Sequence, residues 1–219
     1  MDTWNLDPNE VLKSEEERHS NSKKQQLTIN RKKYRQNDIK TIKKLFPNVC
    51  TVLCIGCRHD SEVQDFLNNK FIAIGIDIAT ESDFIAKIDA HKLNEFEFNK
   101  FDFVYASHSL EHMYDPKLVM RNIKNLNPQG IHITLPFQNK NQGSILKHAT
   151  LFEIMKVDDI TAPIEEIINY QKSFIKDMNH PIWKDFDSLG NFELLHYEYR
   201  QLNNIKQKEI SFCLKFGDK

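Results

Sequence analysis

The sequence predicts an α/β fold, a mostly parallel sheet with helices on both faces and an antiparallel hairpin at the carboxyl terminus. Five continuous apolar runs alternate with more polar, helix-like stretches, a pattern typical of strands covered on both faces. Two further strand-like runs, joined by a polar stretch, close the chain. The predicted strands are Val49–Ile55, Phe71–Ile78, Phe84–Ile88, Phe101–Ala106, Ile131–Leu135, Phe192–Tyr199 and Glu209–Phe216.

Three helices are indicated by an apolar stripe or by a start signal. The first spans Asp38–Phe46, where apolar residues recur along one face. The second spans Ser61–Leu67, and Asp60 is expected to cap the free amides of its first turn. The third begins at Asp115-Pro116, a capping residue followed by proline in the first turn.

The segment 137–190 is longer than an ordinary strand-to-strand connection, which needs only about 2–6 loop residues beside its helix. Its most helix-like part, 163–178, carries an apolar face. The simpler interpretation is a crossover helix that packs on the sheet. The alternative is that 137–152 forms a lid, since long insertions near the ligand edge of a sheet often build a pocket.

The formal net charge of −1 argues against a nucleic-acid binder as a whole. Residues 23–44 nevertheless carry nine lysines or arginines and one acid, Asp38. A solvated helix face is the ordinary interpretation of such a stretch, although it leaves a nucleic-acid partner open. With no apolar run of about 18 residues and no signal-peptide pattern, we expect a cytoplasmic protein without a membrane span.

The four cysteines are expected to be reduced, because three of them cluster around one apolar run, whereas a disulfide scaffold would spread them out. Cys54 and Cys57 have the spacing of a redox or zinc pair. Cys54 lies inside a buried run, however, and no second pair of ligands has metal-site spacing. We therefore interpret both as structural and expect no metal.

Polar residues follow the predicted strands at the edge where a parallel sheet binds ligands, beyond its carboxyl ends. Gly56 follows the first strand and lets the backbone approach a ligand closely. Asp77, 21 residues later, ends the second strand and can accept hydrogen bonds from both hydroxyls of a ribose. Asp89 follows the third strand and can bind an adenine edge, with Ile78 against the adenine face.

The ordered set of motifs resembles the class I S-adenosylmethionine-dependent methyltransferases, in particular their small-molecule, type 11-like branch. The resemblance covers about residues 49–136 and implies a Rossmann-like, seven-stranded sheet with a reversed last strand. It rests on Val52–Cys57, Gly75-Ile76-Asp77, Asp89-Ala90-His91, the Phe-Asp and Leu-Glu-His positions of Phe101–His112, and the turn Asn127–Gly130.

The resemblance implies that S-adenosylmethionine is the cofactor and that it lies along this edge of the sheet. The residues expected to bind it are Gly56, Cys57, Arg58, Asp77, Ile78, Asp89, Ala90, Ser107 and His108.

The loop after the first strand departs from the family pattern, because Arg58 and Asp60 stand where the family usually has glycines. Arg58 can pair with the methionine carboxylate or can block the pocket. The second possibility leaves open a degenerate cofactor-binding module without turnover. A nicotinamide site is disfavoured, because Gly56 alone remains of the Gly-x-Gly-x-x-Gly pattern.

Glu111-His112 is the candidate catalytic pair. His112 can act as a general base toward an acceptor hydroxyl or amine, it can only shape the pocket, or Glu111 can orient it and both residues can be structural. For the acceptor side we single out Tyr34 from the amino-terminal arm and Phe137 and His148 from the insertion.

The predicted reaction is methyl transfer to an oxygen or nitrogen of a small molecule or glycan precursor. The chain lacks the Asn-Pro-Pro-Tyr and Asp-Pro-Pro-Tyr signatures of base-methylating enzymes, so a nucleic-acid methyltransferase is only the alternative. Residues 1–47 are expected to form an arm and helix that cover the active site, and residues 48–219 to form the methyltransferase domain with its insertion 137–190.

Overall fold

The computed structural model describes residues 13, 29–57, 59–80, 82–96, 100–136, 138–139, 156–157, 191–201 and 208–217. Three α-helices, two short 3-10 helices and nine strands lie in these ranges. The helices are α1 (Ile29–Leu45), α2 (Ser61–Asn68) and α3 (Pro116–Asn125), with 3-10 helices at Ala90–Glu95 and Leu110–His112. The strands are β1 (Thr51–Ile55), β2 (Ile72–Asp77), β3 (Ile85–Lys87), β4 (Phe103–Ser107), β5 (Gly130–Pro136), β6 (Gln138–Asn139), β7 (Lys156–Val157), β8 (Phe192–Gln201) and β9 (Lys208–Phe216).

Seven of these strands form one sheet in the order β3-β2-β1-β4-β5-β9-β8, which confirms the predicted Rossmann-like architecture. Strands β1 to β5 run parallel to one another, whereas β9 runs antiparallel to both β5 and β8. The strand order reverses between β1 and β4, so the carboxyl ends of these two strands mark the ligand edge. The start of β9 reaches the same edge, because Glu209 pairs with Pro136 at the end of β5.

The alternation of side chains along the strands divides the core between two faces of the sheet. On one, which we call the α3 face, Val119 and Ile123 of α3 pack with Leu53 and Val104. On the other, the α1 face, helices α1 and α2 cover the alternate residues of the same strands. Its buried apolar members include Ile39, Ile42, Val52, Val63, Phe66, Phe103 and Tyr105.

Helix α1 begins at Ile29, nine residues before the predicted start at Asp38. The added turns carry no apolar stripe, so hydrophobic periodicity could not reveal them. Tertiary contacts hold them instead: the Arg35 Nε donates to Asp65 Oδ2 over 2.6 Å, and the Tyr34 hydroxyl donates to the Gln201 carbonyl over 3.1 Å. Helix length was therefore decided by polar partners from α2 and β8.

The two predicted helix caps have different outcomes. Asp115 caps α3 as expected, since its side chain accepts a hydrogen bond from the Leu118 amide. The cap expected at Asp60 is wrong, because its backbone is already helical and its side chain makes no capping bond. Within the described part of the chain, no helix is both long enough and apolar enough to cross a membrane.

The insertion 137–190 is described only at β6 and β7, which pair in parallel as a small separate sheet. The predicted helix 163–178 and most of the predicted lid segment 137–152 lie outside the described residues. Both stay predictions.

Candidate active site

The loop after β1 is packed directly against the loop after β4. Gly56 has a positive φ of 69°, and its amide donates to the Ile76 carbonyl over 2.8 Å. A Cβ at this position would lie 2.3 Å from the Ser109 Cβ, closer than any real contact. Only glycine fits here, and its absent side chain is what brings the two loops together.

The side chain of Cys57 belongs to the core. It is 1% exposed, and its Sγ fills the space beside Gly75, where a Cβ would come within 2.3 Å. Burial raises the pKa of the Cys57 thiol well above its ordinary value, which keeps it protonated and unreactive. Cys57 could therefore serve a ligand through its backbone. All four cysteines are free, as predicted. Arg58 lies outside the described residues.

Asp77 stands at the last position of β2 with only 6% of its surface exposed. Its Oδ1 accepts a hydrogen bond from the Ala79 amide over 3.0 Å, which fixes the carboxylate at the strand end. Ile78, the next residue, is half-buried.

Asp89 follows β3 and caps the 3-10 helix that begins at Ala90. Its Oδ1 accepts from the His91 amide over 2.9 Å and lies 2.6 Å from His91 Nδ1. Within the described part of the chain, Asp89 Oδ2 is buried and has no hydrogen-bond partner. Burial would raise the pKa of Asp89, but the hydrogen bonds from His91 hold it below its ordinary value. Asp89 Oδ2 is therefore a charged oxygen that can accept a hydrogen bond from a ligand.

His108 lies just beyond β4, after the half-buried Ser107, in the left-handed backbone region with φ 54°. Its Nε2 is 2.6 Å from Glu209 Oε2, and its Nδ1 is 3.6 Å from Glu111 Oε1. Burial alone would lower the pKa of His108, but the neighbouring carboxylates of Glu111 and Glu209 raise it to about 9. The ring is thus an imidazolium at neutral pH.

The predicted catalytic pair lies in the short 3-10 helix after this loop. The Glu111 side chain is 2% exposed and His112 is 23% exposed, with His112 Nε2 3.7 Å from Glu111 Oε1. Burial would raise the pKa of Glu111, but His108 and His112 hold it below its ordinary value. The arrangement presents a partly open imidazole that is backed by a buried carboxylate.

Three residues that the sequence did not single out as site residues connect to this pair through His108: Glu209, Arg200 and Asp38. Arg200 forms a two-pronged ion pair with Asp38 and reaches Glu209 over 3.7 Å. The predicted acceptor residue Tyr34 joins them, since the Arg200 guanidinium stacks over its ring at 5.1 Å. A weak signal existed in the sequence, because Asp38 is the one acid in a basic stretch and Glu209 is charged at the start of an apolar strand.

A family model described as a methyltransferase domain matches residues 4–170. The chain belongs to this methyltransferase family. Together with the fold and the ordered motifs, the match confirms that the protein is a class I S-adenosylmethionine-dependent methyltransferase. No curated protein sequence matches the chain significantly.

Solved methyltransferase structures share the fold at low identity. The 1,6-didemethyltoxoflavin-N1-methyltransferase of Burkholderia thailandensis has a TM-score of 0.61 and 10% identity, covering 100% of this chain and 94% of that one. The N-methyltransferase NodS of Bradyrhizobium japonicum has a TM-score of 0.57 and 11% identity, covering 95% of this chain and 99% of that one. The plantazolicin methyltransferase BamL has a TM-score of 0.51 and 13% identity, covering 95% and 91% of the two chains. All three contain S-adenosylhomocysteine.

Proposed function

We propose that this methyltransferase methylates an oxygen or nitrogen of a small molecule or glycan precursor, with His112 as the group that meets the acceptor. One observation carries the proposal: the partly open His112 and the buried Glu111 lie on the loop that packs against Gly56. A general base must lie within reach of the proton that it removes, and this packing puts the pair beside the proposed cofactor loop.

The residues at the strand ends have the chemistry that S-adenosylmethionine needs. Asp77 would accept hydrogen bonds from the ribose hydroxyls, and Asp89 Oδ2 would accept one from the adenine amino group. Ile78 and Ala90 would border the adenine. The methionine end would be bordered by the backbone of Gly56 and Cys57, by Arg58, and by Ser107 and His108.

The bound cofactor supplies a methyl group on a sulfonium centre, which needs no further activation. The residues of the chain then have two tasks. Holding the acceptor in line can supply about 7–11 kcal/mol of the barrier reduction. His112 would take the proton that the acceptor oxygen or nitrogen loses, while the buried Glu111 keeps the imidazole oriented and stabilises its charge. Tyr34, Phe137 and His148 are proposed to border the acceptor.

Asp77→Ala tests the cofactor site. We expect S-adenosylhomocysteine to bind more weakly by about 1.5–3 kcal/mol, because a charged hydrogen-bond acceptor is lost. Isothermal titration calorimetry measures the difference. Asp83→Ala, an exposed aspartate after the same strand, is the matched control and should bind like the native protein. A folded Asp77→Ala variant with native affinity would contradict the assignment, and no binding by the native protein at millimolar ligand would reject the cofactor site altogether.

His112→Gln tests the catalytic role on a panel of small amines, alcohols and sugars. Once an acceptor is found, kcat should fall by about 10²–10⁴ with little change in KM, the range for losing a general base. An unchanged kcat would reject His112 as the base. Cofactor binding without turnover on the whole panel would favour the binding-module alternative.

A nucleic-acid acceptor has its own signature. Lys32, Lys33, Lys40, Lys43 and Lys44 are exposed on α1, and phosphate contacts would make affinity fall steeply with salt. Tight, salt-sensitive gel shifts with RNA or DNA would overturn the small-molecule proposal. A cytoplasmic location accords with such an enzyme and stays a prediction.

A further inference from the structure

A line of side chains with alternating charge runs from helix α1 to the candidate base. Arg200 connects Asp38 to Glu209, with Nη1 3.2 Å from Asp38 Oδ2 and 3.7 Å from Glu209 Oε1. His108 connects Glu209 to Glu111 over 2.6 and 3.6 Å. Glu111 Oε1 is in turn 3.7 Å from His112 Nε2. The order along the line is Asp38, Arg200, Glu209, His108, Glu111 and His112.

Most of the charged side chains in this line are buried. The side chains of the three carboxylates and of Arg200 are only 2–4% exposed, whereas the two imidazoles are 20% and 23% exposed. A buried charge without a partner is costly, so each carboxylate requires a cation beside it. Arg200 pairs with Asp38 and also approaches Glu209 over 3.7 Å, whereas the ring of His108 lies between Glu209 and Glu111 and contacts both.

We propose that His108 and Glu209 are positioning residues: His108 remains an imidazolium clamped between Glu209 and Glu111, and this clamp fixes the Glu111 carboxylate that faces His112. The part that concerns His112 rests on the proposed function, whereas the clamp itself does not. The antiparallel strand β9 contributes Glu209 and so gives the reversed strand a role in the chemistry of the site.

Three carboxyl groups among the described residues favour the charged form of His108. Glu209 faces it from β9 and Glu111 from its own loop, and Glu62 on α2 also interacts with its charge. The guanidinium of Arg200 lies beyond Glu209, and the imidazole of His112 lies beyond Glu111. The backbone holds the ring in place, because the His108 amide donates to the Thr134 carbonyl over 3.0 Å.

Sharing of Glu111 has a consequence for His112. Because both imidazoles approach the same oxygen, Oε1, the charge of His108 limits how strongly Glu111 can stabilise a proton on His112. Of the Glu209–His108 pair, the member closer to His112 is the positively charged ring of His108. Removing Glu209 lets His108 lose its proton and leaves Glu111 to His112 alone, which makes His112 more basic.

Histidine titration by NMR on the full chain, labelled with ¹³C-histidine, tests the clamp directly. The His108 and His112 ring signals are assigned from the signals missing in His108→Gln and His112→Gln. In the native protein we expect the His108 signal to stay that of an imidazolium to at least about pH 8. A midpoint near the ordinary value of 6.5 would overturn the proposal without any further variant.

Glu209→Gln is compared with Glu198→Gln, which removes the same charge from the same hairpin and contacts Arg200 but is 35% exposed. In Glu209→Gln we expect the His108 midpoint to fall by about one pH unit or more and the His112 midpoint to rise by at least ~0.3. Both should stay near native values in Glu198→Gln. An unmoved His108 midpoint in Glu209→Gln overturns the clamp, and an unmoved His112 midpoint overturns its coupling to the base.

Glu209→Asp provides a variant with a better chance of folding, since it keeps the charge and shortens the side chain. We expect it to leave His108 protonated above pH 7, which would separate the charge of the clamp from the packing of the strand. Calorimetric binding of S-adenosylhomocysteine to the native protein is measured alongside. Loss of the clamp with normal cofactor binding would overturn this inference alone, whereas absent cofactor binding with an intact clamp would overturn the proposed function.

Discussion

The two faces of the central sheet are built from the same strands but from different chemistry. On the α3 face, the fully buried residues of β5 and β9 include six apolar ones, Ile131, Ile133, Leu135, Ile210, Phe212 and Leu214, and Lys208 at the start of β9 is the one buried charge among the described residues of these two strands on that face. On the α1 face, the intervening residues of these strands include His132, Thr134, Glu209 and Ser211, which are buried and polar, and the buried Cys213. Alternation along a strand separates the two sets, since neighbouring side chains point to opposite faces.

The α1 face is organised around Asp38. It accepts a hydrogen bond from the Tyr105 hydroxyl over 3.0 Å, lies 3.1 Å from His132 Nε2, and pairs with Arg200. Burial would raise the pKa of Asp38, but His132 and Arg200 lower it to about 2. Hydrocarbon contacts tolerate many partners, whereas this aspartate is stable only where its particular partners meet it. One face therefore supplies non-directional stability, and the other fixes how α1 and β8 are placed beside the site.

Asp38→Ala, a change on the α1 face, is expected to have the largest effect on stability. We expect the free energy of unfolding at pH 7 to fall by about 3–5 kcal/mol, because the buried Arg200 loses its main partner. Urea denaturation measures the loss. Glu198→Ala, whose contact with the same arginine is partly exposed, should cost no more than about 1 kcal/mol. Equal losses in the two variants would show that burial of the Asp38 pair has no special weight.

Glu62→Gln tests how the stability of the protein depends on pH. Burial raises the pKa of Glu62 to about 7 against the opposing effect of Arg35. The folded state therefore holds a proton that the unfolded state releases near pH 4.5, and stability falls as pH rises from 4.5 through 7. We expect the variant to be more stable than the native protein by ~1–2 kcal/mol at pH 8.

At pH 4, where the carboxyl is protonated in both states, the advantage of Glu62→Gln should vanish. Thermal unfolding at the two pH values provides the measurement. A variant that is equally destabilised at both would mean that the contact between Glu62 and Arg35, 3.9 Å apart, outweighs the burial.

Ile133→Val is the matching change on the α3 face, and its effect is the smallest. Deleting one buried methyl group should cost about 0.5–1.5 kcal/mol. Because no charge is involved, the cost should be the same at pH 5 and pH 8. A pH-dependent cost would mean that the two faces are coupled through β5, contrary to the separation described above.

Local sequence patterns determined the parts of the fold that depend on short-range physics. Apolar runs and the two strand-like runs near the carboxyl terminus located the seven strands of the main sheet to within about two residues, and Asp115-Pro116 located the start of α3. The chemistry of strand ends pointed to Gly56, Asp77, Asp89 and the Glu111-His112 pair, because in parallel sheets those positions converge whatever the intervening sequence. The methyltransferase family followed from the order of these motifs.

The remaining features of the fold and the site depend on partners that are distant in sequence. The amino-terminal half of α1 has no apolar stripe, and its helical state is held by Asp65 and by β8. The cap expected at Asp60 was not formed, because the loop from Gly56 enters the helix with Asp60 already in helical geometry. Glu209 approaches His108 only because β9 is reversed and its first residues meet the end of β5. Periodicity reports which side chains are buried but not which buried charges meet, so the sequence determined the strands and their ligand edge, and only the folded chain decided which charges surround the site.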